Sequence, residues 1–270
     1  MDSADFHWSL ETHGNGVALL SFADPGRQNQ LCWAAVERFA DLLDDCVKND
    51  VRVVVIASAL PGHWLEHAWL SDLDAGLDGQ PTTGDGIGWF RAINALCKPP
   101  LITIAAITGN TCGGGCELGW ACDLRVAEPQ AQFAQPEIRL GITPGLGGVS
   151  RLNSLLGRTL AAEMVLAGEW VDAQRIHDAG GINRLVDSGR AVTEALAWAG
   201  ELAAMPTTAL AYCKQVLAEC QELPLGDALL REQEVFQLST VNARQLMREQ
   251  QAYYDAGGTT RDAFKRGATG

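Results

Sequence analysis

The chain has 270 residues and carries 20 Lys and Arg against 33 Asp and Glu, so its formal net charge is −13 at pH 7. Such an acidic chain is a poor match for a non-specific nucleic-acid binder, because phosphate binding relies on clustered lysine and arginine. The length allows one large domain or two small ones with a sizeable core. No apolar run approaches the roughly 20 residues of a membrane helix, so we expect a soluble protein.

Eight cysteines would allow a disulfide framework. The N-terminal residues MDSADFHW, however, lack the charged-then-apolar pattern of an export signal. We therefore expect reduced thiols and a cytoplasmic location. His63 and His67 are four positions apart, but a zinc site needs further ligands, and we expect no metal.

The first third of the chain alternates strand and helix patterns. Residues 8–22 predict a hairpin around the turn residues HGNG at 13–16. Helical spacing of apolar residues follows over 33–47, and the β-branched run 51–57 predicts a buried strand. The segment 60–83 is irregular and rich in Gly, Asp and Trp, so we expect a functional loop there.

The middle of the chain repeats the order strand, turn, helix, and its end is helical. We predict strands at 101–107, 124–127 and 182–186, a glycine-rich turn at 109–115, and helices at 116–122, 152–157, 160–167, 172–180, 192–204, 208–219 and 225–254. Because no strand pattern returns after about residue 188, we place a domain boundary there. Residues 1–188 form the predicted core, and residues 189–270 form a helical region.

Three consecutive glycines, Gly113 to Gly115, lie between a predicted strand and a predicted helix. Glycine lets the backbone approach a ligand closely, and a helix N-terminus presents free N–H groups with a partial positive charge. The segment therefore suits a negatively charged oxygen, although it matches neither the P-loop nor the dinucleotide fingerprint. A simple packing turn is the alternative.

Two carboxylates follow the glycines. Glu117 lies in the first turn of the predicted helix, and Glu137 lies in the segment QPEI at 135–138. If the two converge, they could share a water molecule, with one as base and the other as acid. Otherwise Glu117 stabilises the helix dipole and Glu137 caps a turn. Sequence spacing alone leaves both interpretations open.

The run from Lys98 to Val186 resembles the crotonase superfamily, that is, the enoyl-CoA hydratase/isomerase family. The shared motifs occur in order: a Lys-Pro lead-in, GGGCE, ACD, Phe-x-x-PE, the turn LGI-P-G-x-GG, a helix with AGE, and a DA…G-x-IN segment. The loop PGRQNQL and the strand VRVVVIAS also resemble the family's N-terminal part, which extends the similarity over roughly residues 8–250.

The resemblance implies an α/β fold, namely a crotonase-type spiral of β-β-α repeats with a C-terminal helical oligomerisation region. In the family, this region packs against neighbouring subunits to form trimers, which often pair into dimers of trimers. The implied substrate is an acyl thioester, usually of coenzyme A, with no cofactor and no metal. An acyl-carrier-protein thioester is the alternative to coenzyme A.

By the same resemblance, the N–H groups of Ala68 and Gly114 would form an oxyanion hole for the thioester carbonyl. Glu117 would act as base on a water molecule, and Glu137 would deliver a proton to the α-carbon. The candidate substrate-binding residues are Arg27, Gln28, Glu66, Trp69, Leu70 and Gly113. The implied reaction is the hydration or dehydration of an α,β-unsaturated acyl thioester, as in fatty acid metabolism.

The oxyanion loop departs from the family pattern, because His67-Ala68-Trp69 stand where Gly-Ala-Asp is common. Two alternatives therefore stay open: other enolate chemistry, such as double-bond isomerisation or thioester hydrolysis, and a catalytically silent scaffold. The presence of both Glu117 and Glu137 favours hydration. Trp64, Trp69 and Trp89 either line an acyl pocket or pack in the core.

Overall fold

The computed structural model describes residues 6–221 and 223–266, without the side chains of 264–266. The strands are β1 (His7–Thr12), β2 (Val17–Ala23), β3 (Val53–Ser58), β4 (Ile102–Ile107), β5 (Thr111–Cys112), β6 (Leu124–Ala127), β7 (Gln132–Ala134), β8 (Val171–Asp172) and β9 (Arg184–Leu185). The helices are α1 (Trp33–Lys48), α2 (Leu70–Leu77), α3 (Ile87–Cys97), α4 (Gly113–Ala121), α5 (Ser150–Ala167), α6 (Ala173–Asp178), α7 (Ala191–Ala203), α8 (Thr207–Cys220), α9 (Leu225–Asn242), α10 (Arg244–Asp255) and α11 (Thr260–Arg266). A 3-10 helix covers Glu137–Leu140.

The main sheet has six strands in the order β1-β2-β3-β4-β6-β9. The predicted hairpin is present as the antiparallel pair β1 and β2, with Trp8 opposite Phe22. All other neighbours in this sheet are parallel. Helices cover both faces of a parallel sheet, which explains why β3 and β4 are almost entirely apolar. Strands β5, β7 and β8 form a second, small sheet.

The two faces of the main sheet carry separate apolar clusters. One cluster includes Phe22 and Phe39 and lies on the face that α1 covers. The other lies under α7, whose buried alanines recur every four residues at 191, 195, 199 and 203. This small-residue stripe lets α7 lie close to the strands. A helix beyond residue 188 thus completes the core of the strand-rich part, and the boundary at 188 stays a prediction.

The structure refines several predicted elements. The glycines of the predicted turn form the first turn of α4, which begins at Gly113 rather than at residue 116. Helix α2 lies inside the segment predicted to be irregular. Gly157 interrupts α5 with a φ of 73°, which agrees with the prediction of two separate helices on either side of this residue. The helix predicted over 225–254 is divided at Ala243 into α9 and α10.

Among the described helices, none is long and apolar enough to cross a membrane.

Candidate active site

A cavity of about 500 Å³ lies beside the N-terminus of α4. The candidate residues that line it are Ala68, Leu70, Gly113, Gly114, Glu117 and Glu137. They come from four parts of the chain, namely the loop before α2, α2 itself, α4 and the 3-10 helix. The fold therefore brings together the two carboxylates and the two backbone segments that sequence spacing alone could not connect.

The other four candidates, Arg27, Gln28, Glu66 and Trp69, are not among the described residues that line this cavity. Arg27 forms an ion pair with Asp24 at 3.0 Å, and its guanidinium carbon lies 5.0 Å from the centre of the Trp69 ring. Gln28 has a φ of 54° in the adjacent turn. Their role in substrate binding stays a prediction.

The N-terminus of α4 presents a free backbone donor to the cavity. Gly114 is the second residue of the helix, so its N–H group has no partner four residues back within the helix. In the described chain, no group accepts a hydrogen bond from this N–H. A Cβ atom on Gly114 would lie 2.7 Å from the ring of Trp89, so only glycine fits here.

A second free donor is the N–H group of Ala68. A short parallel bridge holds this loop, since Leu31 N–H donates to His67 O at 3.0 Å and Trp69 N–H donates to Leu31 O at 2.8 Å. Alternation along an extended chain turns the N–H of Ala68 away from Leu31. No acceptor for this N–H occurs among residues 6–221 and 223–266.

Glu117 is 3% exposed and is held by the loop that follows the 3-10 helix. Its Oε1 accepts hydrogen bonds from the N–H groups of Leu146 at 2.6 Å and Gly148 at 2.8 Å. Burial raises the pKa of this carboxyl, and the two hydrogen bonds together with the charge of Arg151 offset part of the rise. The carboxylate is thus fixed in orientation and is a stronger base than an exposed glutamate.

Glu137 has a different environment, although it lines the same cavity. Its Oε1 accepts a hydrogen bond from Gln135 Nε2 at 3.1 Å, and its Oε2 is buried with no partner in the described part of the chain. Burial, followed by the negative charge of Glu117, raises the pKa of Glu137 to about 7. A carboxyl with this pKa can hold a proton near neutrality and pass it on.

The rest of the cavity wall is mainly apolar. Sequence reasoning missed Trp33, Leu73 and Phe90, which line it together with Trp89. Trp64 instead is fully buried in the core, where its ring meets Phe22 edge-on. The missed residues lie on α1, α2 and α3. The sequence carries no signal for them, because it does not show that these three helices meet at the cavity.

No group of three or more His, Cys, Asp or Glu side chains that could hold a metal occurs within the described residues.

Comparison with known proteins gives this geometry a context. A family model described as enoyl-CoA hydratase/isomerase matches residues 12–257. The chain is 34% identical to the short-chain-enoyl-CoA hydratase of Clostridium acetobutylicum over 231 residues, which cover 84% of this chain and 87% of that protein. It is 41% identical to the 2,3-dehydroadipyl-CoA hydratase of Escherichia coli K12 over 150 residues, or 56% of this chain and 57% of that protein. The chain spans about three fifths of the length of several other curated relatives that it matches.

Solved structures show the same fold. An enoyl-CoA hydratase from Polaromonas sp. JS666 superimposes with a TM-score of 0.81 at 28% identity, and the match covers 93% of this chain and 98% of that one. Pseudomonas aeruginosa DspI superimposes with a TM-score of 0.77 at 28% identity over 90% of this chain and 97% of that one. With the family model matched over nearly the whole chain, the protein belongs to the enoyl-CoA hydratase/isomerase family, the crotonase superfamily that its motifs resemble.

Proposed function

We propose that the protein adds water to an α,β-unsaturated acyl thioester or, in reverse, dehydrates the 3-hydroxyacyl thioester. The observation that carries this proposal is the pair of carboxyl groups in one cavity. Glu117 is held by two N–H groups, whereas Glu137 has an unpaired oxygen and a pKa raised to about 7. The two environments suit a base and an acid in the same reaction.

In the proposed hydration, the thioester carbonyl oxygen receives hydrogen bonds from the N–H groups of Ala68 and Gly114. Glu117 removes a proton from water, and the water oxygen forms a bond to the β-carbon. The electron pair of the double bond moves towards the carbonyl, where the two N–H groups stabilise the enolate by about 3 kcal/mol each. Glu137 then gives its proton to the α-carbon, and one proton passes from Glu117 to Glu137 to restore the starting state.

Coenzyme A is the proposed carrier, because relatives bear the names of enoyl-CoA hydratases. An acyl-carrier-protein thioester is the alternative. The proposal further includes no metal or redox cofactor, a cytoplasmic location, and a homotrimer or a dimer of trimers. The exposed apolar side chains of α9 support the proposed assembly.

The test is the loss of conjugated absorbance on adding a short-chain and a medium-chain enoyl-CoA. We expect Glu117→Gln and Glu137→Gln each to lower kcat by about a hundredfold or more, since a positioned acid or base typically supplies that much. Glu128→Gln is the matched control. Glu128 is equally buried, but its carboxylate accepts hydrogen bonds from Ala191 N–H and Gln130 Nε2 and does not line the cavity described here.

Other results would select the alternatives. Tight binding of acyl-CoA without hydration would favour double-bond isomerisation or thioester hydrolysis, the chemistry that the unusual His67-Ala68-Trp69 segment kept open. Absence of both binding and turnover would favour a silent scaffold.

A further inference from the structure

We infer that Glu66 and Cys112 are positioning residues that join the two halves of the oxyanion hole. Glu66 lies two residues before Ala68, and Cys112 lies two residues before Gly114. A hydrogen bond between their side chains connects the two segments that carry the free N–H groups. The inference rests on the proposed function, because it concerns the donors that would polarise the thioester.

The contact is buried and specific. The Cys112 thiol donates a hydrogen bond to Glu66 Oε2, with 3.1 Å between the sulfur and the oxygen. The other oxygen of Glu66 lies 2.9 Å from His63 Nδ1. Glu66 is 8% exposed and Cys112 is 3% exposed. Both oxygens of Glu66 thus have partners, which offsets the cost of burying the carboxylate.

Backbone contacts hold the same two segments together at neighbouring positions. Thr111 Oγ1 donates a hydrogen bond to Leu65 O at 2.6 Å. Gly115 approaches this loop so closely that an added Cβ atom would collide with the Leu65 carbonyl oxygen. These contacts fix how near the segments lie. The Glu66–Cys112 hydrogen bond adds a side-chain connection two residues before each donor. This connection helps to set the position of the Ala68 N–H group relative to the Gly114 N–H group.

The Cys112 thiol acts as a hydrogen-bond donor rather than as a nucleophile. Burial, followed by the negative charge of Glu66, raises the pKa of the thiol far above its ordinary range. A thiol must ionise before it attacks an electrophile or binds a metal. Cys112 therefore keeps its proton, and the thiol donates that proton in a hydrogen bond to the carboxylate of Glu66.

Loss of this hydrogen bond should reduce the stabilisation of the transition state more than it reduces the binding of the substrate. Oxyanion-hole donors act on the charge that develops during the reaction, so their misplacement lowers kcat while KM changes little. Removal of a whole donor typically lowers kcat by about a hundredfold or more. Because a misplaced donor retains part of its effect, we expect about a tenfold loss for Cys112→Ala.

The experiment compares three variants of the full chain. Cys112→Ala removes the donor, and Cys112→Ser replaces the thiol donor with a hydroxyl donor. Cys122→Ala is the matched control, because Cys122 is also a buried thiol next to α4, but it donates to Leu118 O at 3.5 Å at the far end of that helix. Each variant is assayed for hydration of an enoyl-CoA. Each is also mixed with 4-dimethylaminocinnamoyl-CoA, a chromophoric thioester whose absorbance shifts to the red when its carbonyl is polarised.

We expect Cys112→Ala to lower kcat about tenfold with KM within about twofold, and to reduce the red shift of the bound probe. Cys112→Ser should retain kcat within about threefold and keep most of the red shift, as should Cys122→Ala. The inference is overturned if Cys112→Ala matches Cys122→Ala in both readouts, or if Cys112→Ser loses as much as Cys112→Ala.

The red shift separates this inference from the proposed function. A wild-type chain that shifts the probe but hydrates no enoyl-CoA would refute the hydratase proposal, and the variants would still test the positioning role through the shift. A wild-type chain that gives neither shift nor turnover would show that no oxyanion hole operates, and the inference would be wrong as well.

A double-mutant cycle checks that the two residues act through one hydrogen bond. Adding Glu66→Ala to Cys112→Ala should lower kcat by much less than the product of the two single losses, because both changes remove the same hydrogen bond. Multiplicative losses would overturn the connection between Glu66 and Cys112.

Discussion

Glu137 keeps its proton into the neutral range because its carboxyl is buried and lies near the charge of Glu117, which together raise its pKa to about 7. As proton donor in the proposed hydration it must be protonated, so we expect kcat/KM to fall as pH rises through about 7. Glu117 must be ionised to act as the base. Because its pKa is raised, the acidic limb of the pH profile should lie above 4.5, the ordinary pKa of a glutamate. The expected profile of kcat/KM against pH is a bell.

The check is to measure kcat/KM for hydration of an enoyl-CoA between about pH 5 and 9, because kcat/KM reports the pKa values of the free enzyme. A rate that stays constant or rises through pH 7 would contradict the assignment of Glu137 as the acid. Because the two carboxyls interact, the limbs report apparent pKa values of the pair rather than of either group.

Sequence motifs were sufficient to select Glu117 and Glu137, which line one cavity, as candidates, since both lie in short patterns, GGGCE and PE, that the family shares. They were insufficient to pair Glu66, itself a candidate, with Cys112. Its partner Cys112 is 46 positions away, and no local pattern indicates which distant side chain a buried carboxylate meets. The sequence could name residue types with suitable chemistry, whereas their pairing depends on how β5 and the loop before α2 come together.

At the scale of elements, α2 and α3 show why this part of the chain resisted prediction. Neither N-cap residue, Trp69 before α2 or Gly86 before α3, caps its helix through a side chain, and Gly86 has a φ of 75°. The usual N-cap residue, Ser, Thr, Asp or Asn, is therefore absent from both helix starts. Helix α2 is instead held by distant contacts, since Asp72 accepts hydrogen bonds from Trp33 N–H at 2.7 Å and Thr83 N–H at 2.9 Å.

These helices supply an apolar wall of the cavity. The lack of charged partners in this wall indicates which acyl groups the cavity can bind. Arg139 also lines the cavity, but its guanidinium donates to Gly168 O, Ala167 O and the Glu169 carboxylate. Among the described residues that line the cavity, no other arginine or lysine occurs. An acyl chain that ends in a carboxylate would thus bury its charge without a partner, which costs about 3 kcal/mol or more.

We therefore expect kcat/KM for 2-hexenoyl-CoA to exceed that for 2,3-dehydroadipyl-CoA by about a hundredfold or more. The two substrates have six carbons each in the acyl group and differ only at the far end. Steady-state kinetics with both would decide the matter. Equal values would mean that Arg139 leaves its partners to bind the carboxylate, and this chain would then share the substrate in the name of its Escherichia coli relative.

At the scale of the whole molecule, the C-terminal helices divide into two kinds. The buried alanine stripe of α7 packs on the main sheet, so this helix belongs to the core. Helix α9 is different, because only Ala228 and Val235 are buried. Its large exposed apolar side chains are Leu225, Leu229, Leu230, Phe236, Leu238 and Val241. An apolar surface of this kind is typical of a contact between subunits rather than of a surface in water.

The proposed trimer or hexamer can be tested on this helix. Phe236→Asp places a charge on the exposed face of α9, and we expect it to shift the sedimentation coefficient from that of a trimer or hexamer to that of a monomer, since burying an unpaired charge in an interface costs several kcal/mol. Leu77→Asp is the control, because Leu77 is exposed at the end of α2 and does not line the described cavity. A Phe236→Asp chain that sediments like the wild type would place the subunit contact elsewhere. Unchanged circular dichroism in both variants would show that the shift reflects assembly and not unfolding.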